Sequence, residues 1–429
     1  MACGTLCLLV PILAVRAAQQ IPYDTEYPVI GYSTNPPTDP VSRLQQKLDD
    51  GELGLQFDAG TGYLNSLLQQ LEISVASQML VFSKTSLQTG LISSRTPRAI
   101  YFNDEVYVAW VQNSPVIEIA SHDPRLGPVF YTLIQEQRER PRFEREMSLC
   151  LRCHDSYSLT GGGVPRFILG SGFADEEGDL VSHEGWHLTS DQTLLSKRWG
   201  GWYVTGTHGD QVHMGNLIPK DGADAARMDL SAGANLIDLG ELIDTTPYLG
   251  KHSDIAALMV IEHQVHVQNL ITRVNYETRT ALLEETVQNR ELVQPPDHPS
   301  AAAVKRIESV AEPLVMAMLF VGEAPLSGPI AGTSGFYSEF VSQGPRDGQG
   351  RSLRQLDLTR RLFRYPLSYL IYSQAFDSLP ELAKSYIYRR LLEVLGGEDR
   401  SEEFAHLSVE DRLAVLEILK DTKANFTGR

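Results

Sequence analysis

Cysteine is scarce in this chain: four in 429 residues, and Cys3 and Cys7 both lie at the extreme amino terminus. A scaffold stapled by several disulfides is therefore excluded. Long apolar runs are missing too. The run from Leu6 to Val15 is too short to span a bilayer. Positive charge is also in deficit, with 37 Lys and Arg against 54 Asp and Glu, a formal net charge of −17. That balance excludes nucleic acid as a partner and docking on anionic lipid through a polybasic patch. Disorder is excluded by a composition that is 42% hydrophobic and 21% charged. The length suggests two to three domains.

What is present begins with an export signal. "MACGTLCLLVPILAVRAAQQ" has a short apolar run followed by small residues near a cut after Ala17, so residues 1–17 are expected to be removed. No Lys or Arg precedes the run, which leaves an uncleaved anchor as the alternative. The expected location is periplasmic or otherwise exported. Once Cys3 and Cys7 go with the signal, Cys150 and Cys153 remain, in "CLRCH" with His154 directly after them.

Cys-x-x-Cys-His is the attachment sequence of c-type haem. Two thiols at that spacing can each add to one vinyl group of the porphyrin, and the histidine after them is placed to coordinate iron. A redox-active pair, a structural disulfide and half of a zinc site are the competing readings. The adjacent histidine is incidental to the first two, and no second cysteine pair completes the third. One covalent haem c is expected, held by Cys150, Cys153 and His154.

Along the rest of the chain, residues 18 to about 45 read as extended and polar. "GYLNSLLQQLEI" has helical spacing. "RAIYFNDEVYVAWV" and "VIEIASHDPRLGPVFYTL" alternate like antiparallel strands over about 98–134, with Asn103-Asp104 suited to a tight turn. The charged run "QEQRERPRFEREMSL" reads as a solvated face. From about 250 the pattern is helical: a long helix capped by Ser253 or Asp254, then stretches near 301–321, 356–376, 380–395 and 408–421. The fold class expected is α+β, mainly helical, with a small antiparallel sheet and a haem c segment followed by a helical carboxy-terminal half. The expected divisions are 18–145 (mixed), 146–235 (haem-binding) and 236–429 (helical).

The iron's sixth ligand decides the chemistry, because methionine, a second histidine or a vacant position set different reactivities. "GTHGDQVHMGN" lies just after an aromatic strand (Trp199, Trp202, Tyr203) able to wall a porphyrin. His213 is the first choice there, His208 the second and Met214 the third. His183 and His187 are further candidates. His263 and His266 share a helical face with Met259 and Leu270, and the reading as hydrogen-bonded core histidines is favoured over ligation or a metal pair. Arg346, Arg351 and Arg354 are read as surface arginines in preference to partners of haem propionates.

"PRAIYFNDEVYVAW", "CLRCH", "RWGGWYVTGTHGDQVHMGN", "HSDIAALMVIEHQ" and "YPLSYLIYSQAFDSLP" together resemble a family of large, exported bacterial cytochrome c domain proteins with a single haem. The resemblance covers nearly all of the chain after the signal. It implies haem c on Cys150 and Cys153 with His154 on the iron, and it brings no activity with it. The chain departs from small cytochromes c, whose attachment motif lies near the start. The expected function is a periplasmic monohaem cytochrome passing single electrons to a partner protein with a basic docking surface. The alternatives are a haem-dependent oxidoreductase of peroxidase type and a haem-based gas or redox sensor.

Overall fold

The computed structural model describes residues 25–161, 163–181, 185–291 and 299–426. The expected signal, 1–17, lies outside them. The chain is α+β: a six-stranded antiparallel sheet runs in sequence order, accompanied by two small two-stranded sheets and a helical carboxy-terminal half. The main sheet comprises β1 (Met79–Val81), β2 (Arg98–Phe102), β3 (Val106–Trp110), β4 (Val116–Asp123), β5 (Gly127–Ile134) and β6 (Phe143–Arg145). The four inner strands occupy the stretch that alternation marks out. The edges β1 and β6 are three residues each, too short to show a period. Phe143 of β6 is buried, so the charged run before the motif is not solvated throughout.

Alternation divides the sheet between two cores. Ala99, Tyr101, Val106, Val108, Trp110, Ile117, Ile119, Val129, Tyr131 and Leu133 face one side, where helices Pro40–Asp49 and Leu64–Gln70 cover them. Ile100, Phe102 and Tyr107 face the other, toward the long helix Ile255–Glu291. Strand side chains alternate faces, so the register fixes both sets.

The long helix starts at Asp254, whose Oδ1 accepts from Ala256 N (2.8 Å) and Ala257 N (3.2 Å). Gln264 and Gln268 on this helix donate to the backbone carbonyls of Asn103 and Asp104, docking the β2–β3 turn. Helices Ala301–Met318, Glu381–Leu395 and Val409–Thr422 complete the expected helical half.

Two readings of the sequence are corrected. The described part of the amino-terminal stretch, 25–45, is not uniformly extended, because Asp39 caps a helix that opens on Pro40, while Ile30 and Tyr32 are buried. Residues 356–376 do not form one helix. Asp357 turns the chain by accepting from Thr359 N and Arg360 N, Leu358 sits at φ 54°, and Pro366 interrupts the remainder. Only the short turns Tyr369–Tyr372 and Gln374–Asp377 are helical there.

Candidate haem site

The motif occupies one turn of helix, Leu151–His154, with Cys150 at its start. The Cys153 and His154 amides both donate to the Cys150 carbonyl, at 3.2 and 3.0 Å. The turn places all three motif side chains on the wall of a cavity of about 470 Å³, within the size range of small-molecule and cofactor sites.

The sheet forms the cavity floor. Cross-strand neighbours Ile100, Ala109, Glu118 and Thr132 make one row across β2 to β5, and Tyr107, Ala120 and Phe130 make a second. The space exists because Ala109 and Ala120 occupy the middle of these rows, where neighbouring strands carry large residues. Ile261 and Val265 of the long helix, Phe167, Leu169, Trp186 and Trp202 supply further wall. Trp186 lies so close to Gly170 that a Cβ there would sit 2.0 Å from its ring. Of the aromatic strand singled out in the sequence, Trp202 lines the cavity, while Tyr203 belongs to the opposite core.

His154 is set for coordination by a second residue. Its Nδ1–H donates to the Arg166 carbonyl at 2.6 Å, which leaves the lone pair on Nε2. That carbonyl is itself well held. Arg166 N donates back to the His154 carbonyl at 2.9 Å, and the next residue, Phe167, exchanges two hydrogen bonds with the Asn269 side chain, at 2.8 and 2.9 Å. Phe130 packs 4.3 Å from the imidazole. Burial pushes the imidazole down to about 4, so it stays neutral, as an iron ligand must be.

Cys150 and Cys153 are free thiols. Burial, with Glu146 and Glu118 nearby, pushes the Cys150 thiol up to about 12. This is the reverse of the lowered thiol expected of a redox-active pair. Among the described residues no group of three or more His, Cys, Asp or Glu is placed to hold a metal ion, which leaves the zinc reading without its remaining ligands. Two thiols at the wall, one neutral imidazole with a free Nε2 and a largely apolar hollow fit a haem.

The distal ligand expected at His213, or else His208, is not brought to this cavity. The Asn216 side chain ties the 208–216 loop to Val204 and Gly233 through their carbonyls. His208 Nε2 accepts from Asn235 N at 3.1 Å, and the His213 ring packs 4.8 Å from His208 and 5.4 Å from Trp199. Both are buried in that separate corner, and burial holds His213 down at about 3. Met214 lies against Ser171. His187 bonds the Lys197 carbonyl, and His183 lies outside the described residues. His263 is a hydrogen-bonded core histidine and His266 a partly buried one, both on Asp191. Arg351 and Arg354 are paired with Asp347, Glu417 and Asp104, and Arg346 with backbone carbonyls, all away from the cavity. Among the described residues, the cavity wall carries no histidine besides His154 and no methionine.

Reading motif by motif missed the alanine floor, Asn269, Arg98 and Glu118. Two alanines inside otherwise bulky alternating strands were the available signal for the floor. The other three are single polar residues within apolar patterns. Compared with known proteins, the chain matches no family model, no curated protein and no solved structure.

Proposed function

We infer that this chain is a monohaem c-type cytochrome that exchanges single electrons with a partner protein. The observation that supports it is the convergence of Cys150, Cys153 and His154 on one apolar cavity. Each thiol adds across one vinyl group, sulfur bonding to the carbon beside the ring and hydrogen to the terminal carbon, so nothing is lost on attachment. His154 Nε2 takes the iron. Haem c supplies a one-electron couple when bound. Leu87, Leu149 and Leu180 line the cavity and are between 40 and 47% exposed, an apolar rim that a bound ring would cover. Attachment of this kind takes place outside the bacterial cytoplasm, in keeping with the export signal, and the acidic balance of the chain suits a basic partner.

A second reading is an oxidoreductase or a gas or redox sensor. Its distinguishing feature is an open iron position, which admits a small ligand. Two measurements test these readings on protein matured in a host competent for haem c. Intact mass equal to polypeptide plus one haem supports the attachment, and a mass of polypeptide alone overturns it. A low-spin spectrum unchanged by carbon monoxide supports the carrier. A high-spin iron that binds carbon monoxide selects the second reading.

A further inference from the structure

The cavity floor is apolar except at one corner. There Glu118 of β4 stands in the row Ile100–Ala109–Glu118–Thr132, and Arg98 at the start of β2 reaches it, Nη1 to Oε2, at 3.2 Å. Both line the cavity and both are largely buried, with side chains 12 and 16% exposed. Glu118 is fully engaged. Its Oε1 accepts from Ser86 Oγ (2.8 Å) and Leu87 N (3.2 Å), and its Oε2 from Arg98. Arg98 is not: among the described residues its side chain bonds Glu118 through Nη1, and its buried Nε has no partner there. Lys84, also on the wall, is committed to Asp179 at 2.7 Å.

An ion pair set into an apolar floor contributes little to stability, because desolvating both charges offsets their attraction. Its placement makes better sense as one part of a larger set. The carboxylate is saturated from behind and holds a guanidinium whose buried Nε has no acceptor among the described residues. A guanidinium so held binds a second carboxylate well, since planar paired N–H donors match that group. Haem carries two carboxylates on an otherwise apolar ring.

We propose that Arg98 binds a carboxylate of the haem and that Glu118 is the positioning residue that holds Arg98 for it. This rests on the haem reading above and goes beyond it, because it assigns which edge of the ring meets β2 and β4 and makes the pair a control on the reduction potential. Removing the cation disfavours the reduced iron, and removing the anion favours it, so the two substitutions act with opposite sign.

The experiment uses full-length protein with haem attached. Intact mass is read first: if wild type carries no haem, the haem reading fails and this proposal with it. If wild type is loaded, R98Q should lower the potential and E118Q should raise it. Each is expected to change the reduction equilibrium about tenfold, or about 59 mV for one electron, and R98K should restore most of the R98Q loss. Shifts of the same sign, or none, overturn the proposal. Where a variant loads too little haem to measure, the apoproteins serve instead. Wild type should bind free haem about tenfold more tightly than its dimethyl ester, which is about 1.4 kcal/mol, and R98Q should bind both alike. Equal affinity of wild type for the two overturns the proposal.

Discussion

Asp191 anchors a buried polar cluster between an irregular loop and the long helix. Its Oδ2 accepts from His263 Nδ1 at 2.9 Å and its Oδ1 from His266 Nδ1 at 2.8 Å, while His263 Nε2 accepts from Ser368 Oγ at 2.9 Å. Beside it Arg198 pairs with Glu262 at 2.8 Å, both nearly inaccessible. Burial pushes the Asp191 carboxyl up, but the hydrogen bonds from the two histidines outweigh it and hold the group well below the usual carboxylate range. D191A removes the acceptor and leaves the buried His263 and the partly buried His266 without it, so it should cost about 3 kcal/mol, read as a loss of urea midpoint at unchanged slope. A group depressed in the fold stabilises above its unfolded value, near 4, and that contribution fades as pH falls below it. D191A should therefore lose its deficit relative to wild type in strong acid. His122 titrates at higher pH. It is buried, with Nε2 3.0 Å from Thr272 Oγ1, and burial holds it down at about 4 while Asp123 opposes the shift. The unfolded chain takes up this proton first, so stability falls as pH drops from about 6.5 to 4, by about 3 kcal/mol for a shift of that size. H122Q should make the urea stability profile shallower across that window, with the buried His154 and His213 left to supply the rest, and an unchanged slope would count against this account. The helical face shared by His263 and His266 was legible from spacing alone. Their acceptor was not, because Asp191 lies 72 residues away in an irregular loop.

At the scale of the element, the sheet is both partition and floor. Alternation gave β2 to β5 directly, since the apolar residues of one core recur at every second position along each strand. It could not give the cavity, because a hollow is defined by what two neighbouring strands and a helix leave empty, and that depends on register. Once Ala109 is paired with Glu118 and Ala120 with Phe130, the low centre of the floor is fixed. Filling it should block the ring without unfolding the sheet. A109L and A120L add side chain into open space, not into packed core, so the overpacking cost of about 1–3 kcal/mol in a filled interior should largely be avoided. Far-UV circular dichroism and the urea midpoint of the apoprotein are expected to stay close to wild type. Covalent haem recovered after maturation should fall about tenfold or more, the equivalent of about 1.4 kcal/mol of lost binding. If both variants load haem as wild type does, the hollow over Ala109 and Ala120 is not where the ring sits. The same scale explains the misplaced distal loop. Glycines and an aromatic strand suggested close approach to a flat ring, yet Asn216 and Asn235 tie that loop to its own neighbourhood. Such ties are invisible until the chain is folded.

For the whole molecule, the larger of the two cores draws on β1 to β3, on Phe167 and Trp202 beside the motif, and on the helical half up to Phe426. The motif therefore sits where the sheet meets the long helix, with Glu118, Phe130, His154 and Ile261 contributed from widely separated stretches to one hollow. Only the five-residue motif could be read locally; everything around it comes from long-range packing. Charge, by contrast, is a property of the whole chain and was available from composition. A net −17 creates a field that attracts cations and repels anions over distances comparable to the Debye length. If the haem edge opens at the leucine rim, that field acts on any redox reagent approaching it. Electron transfer from the reduced protein to a small cationic oxidant, such as a hexaammine complex, should slow about tenfold as ionic strength rises from about 0.01 M to about 0.5 M. Over the same range the rate with an anionic hexacyanide oxidant should rise. Stopped-flow absorbance traces of the haem would give both slopes from one preparation. Opposite signs place the exposed edge within the acidic field and favour a basic partner. Two flat slopes would mean that local charge at the rim is balanced, Lys84 and Arg98 offsetting Asp179 and Glu118, and the partner would then have to be recognised through Leu87, Leu149 and Leu180 instead of through charge.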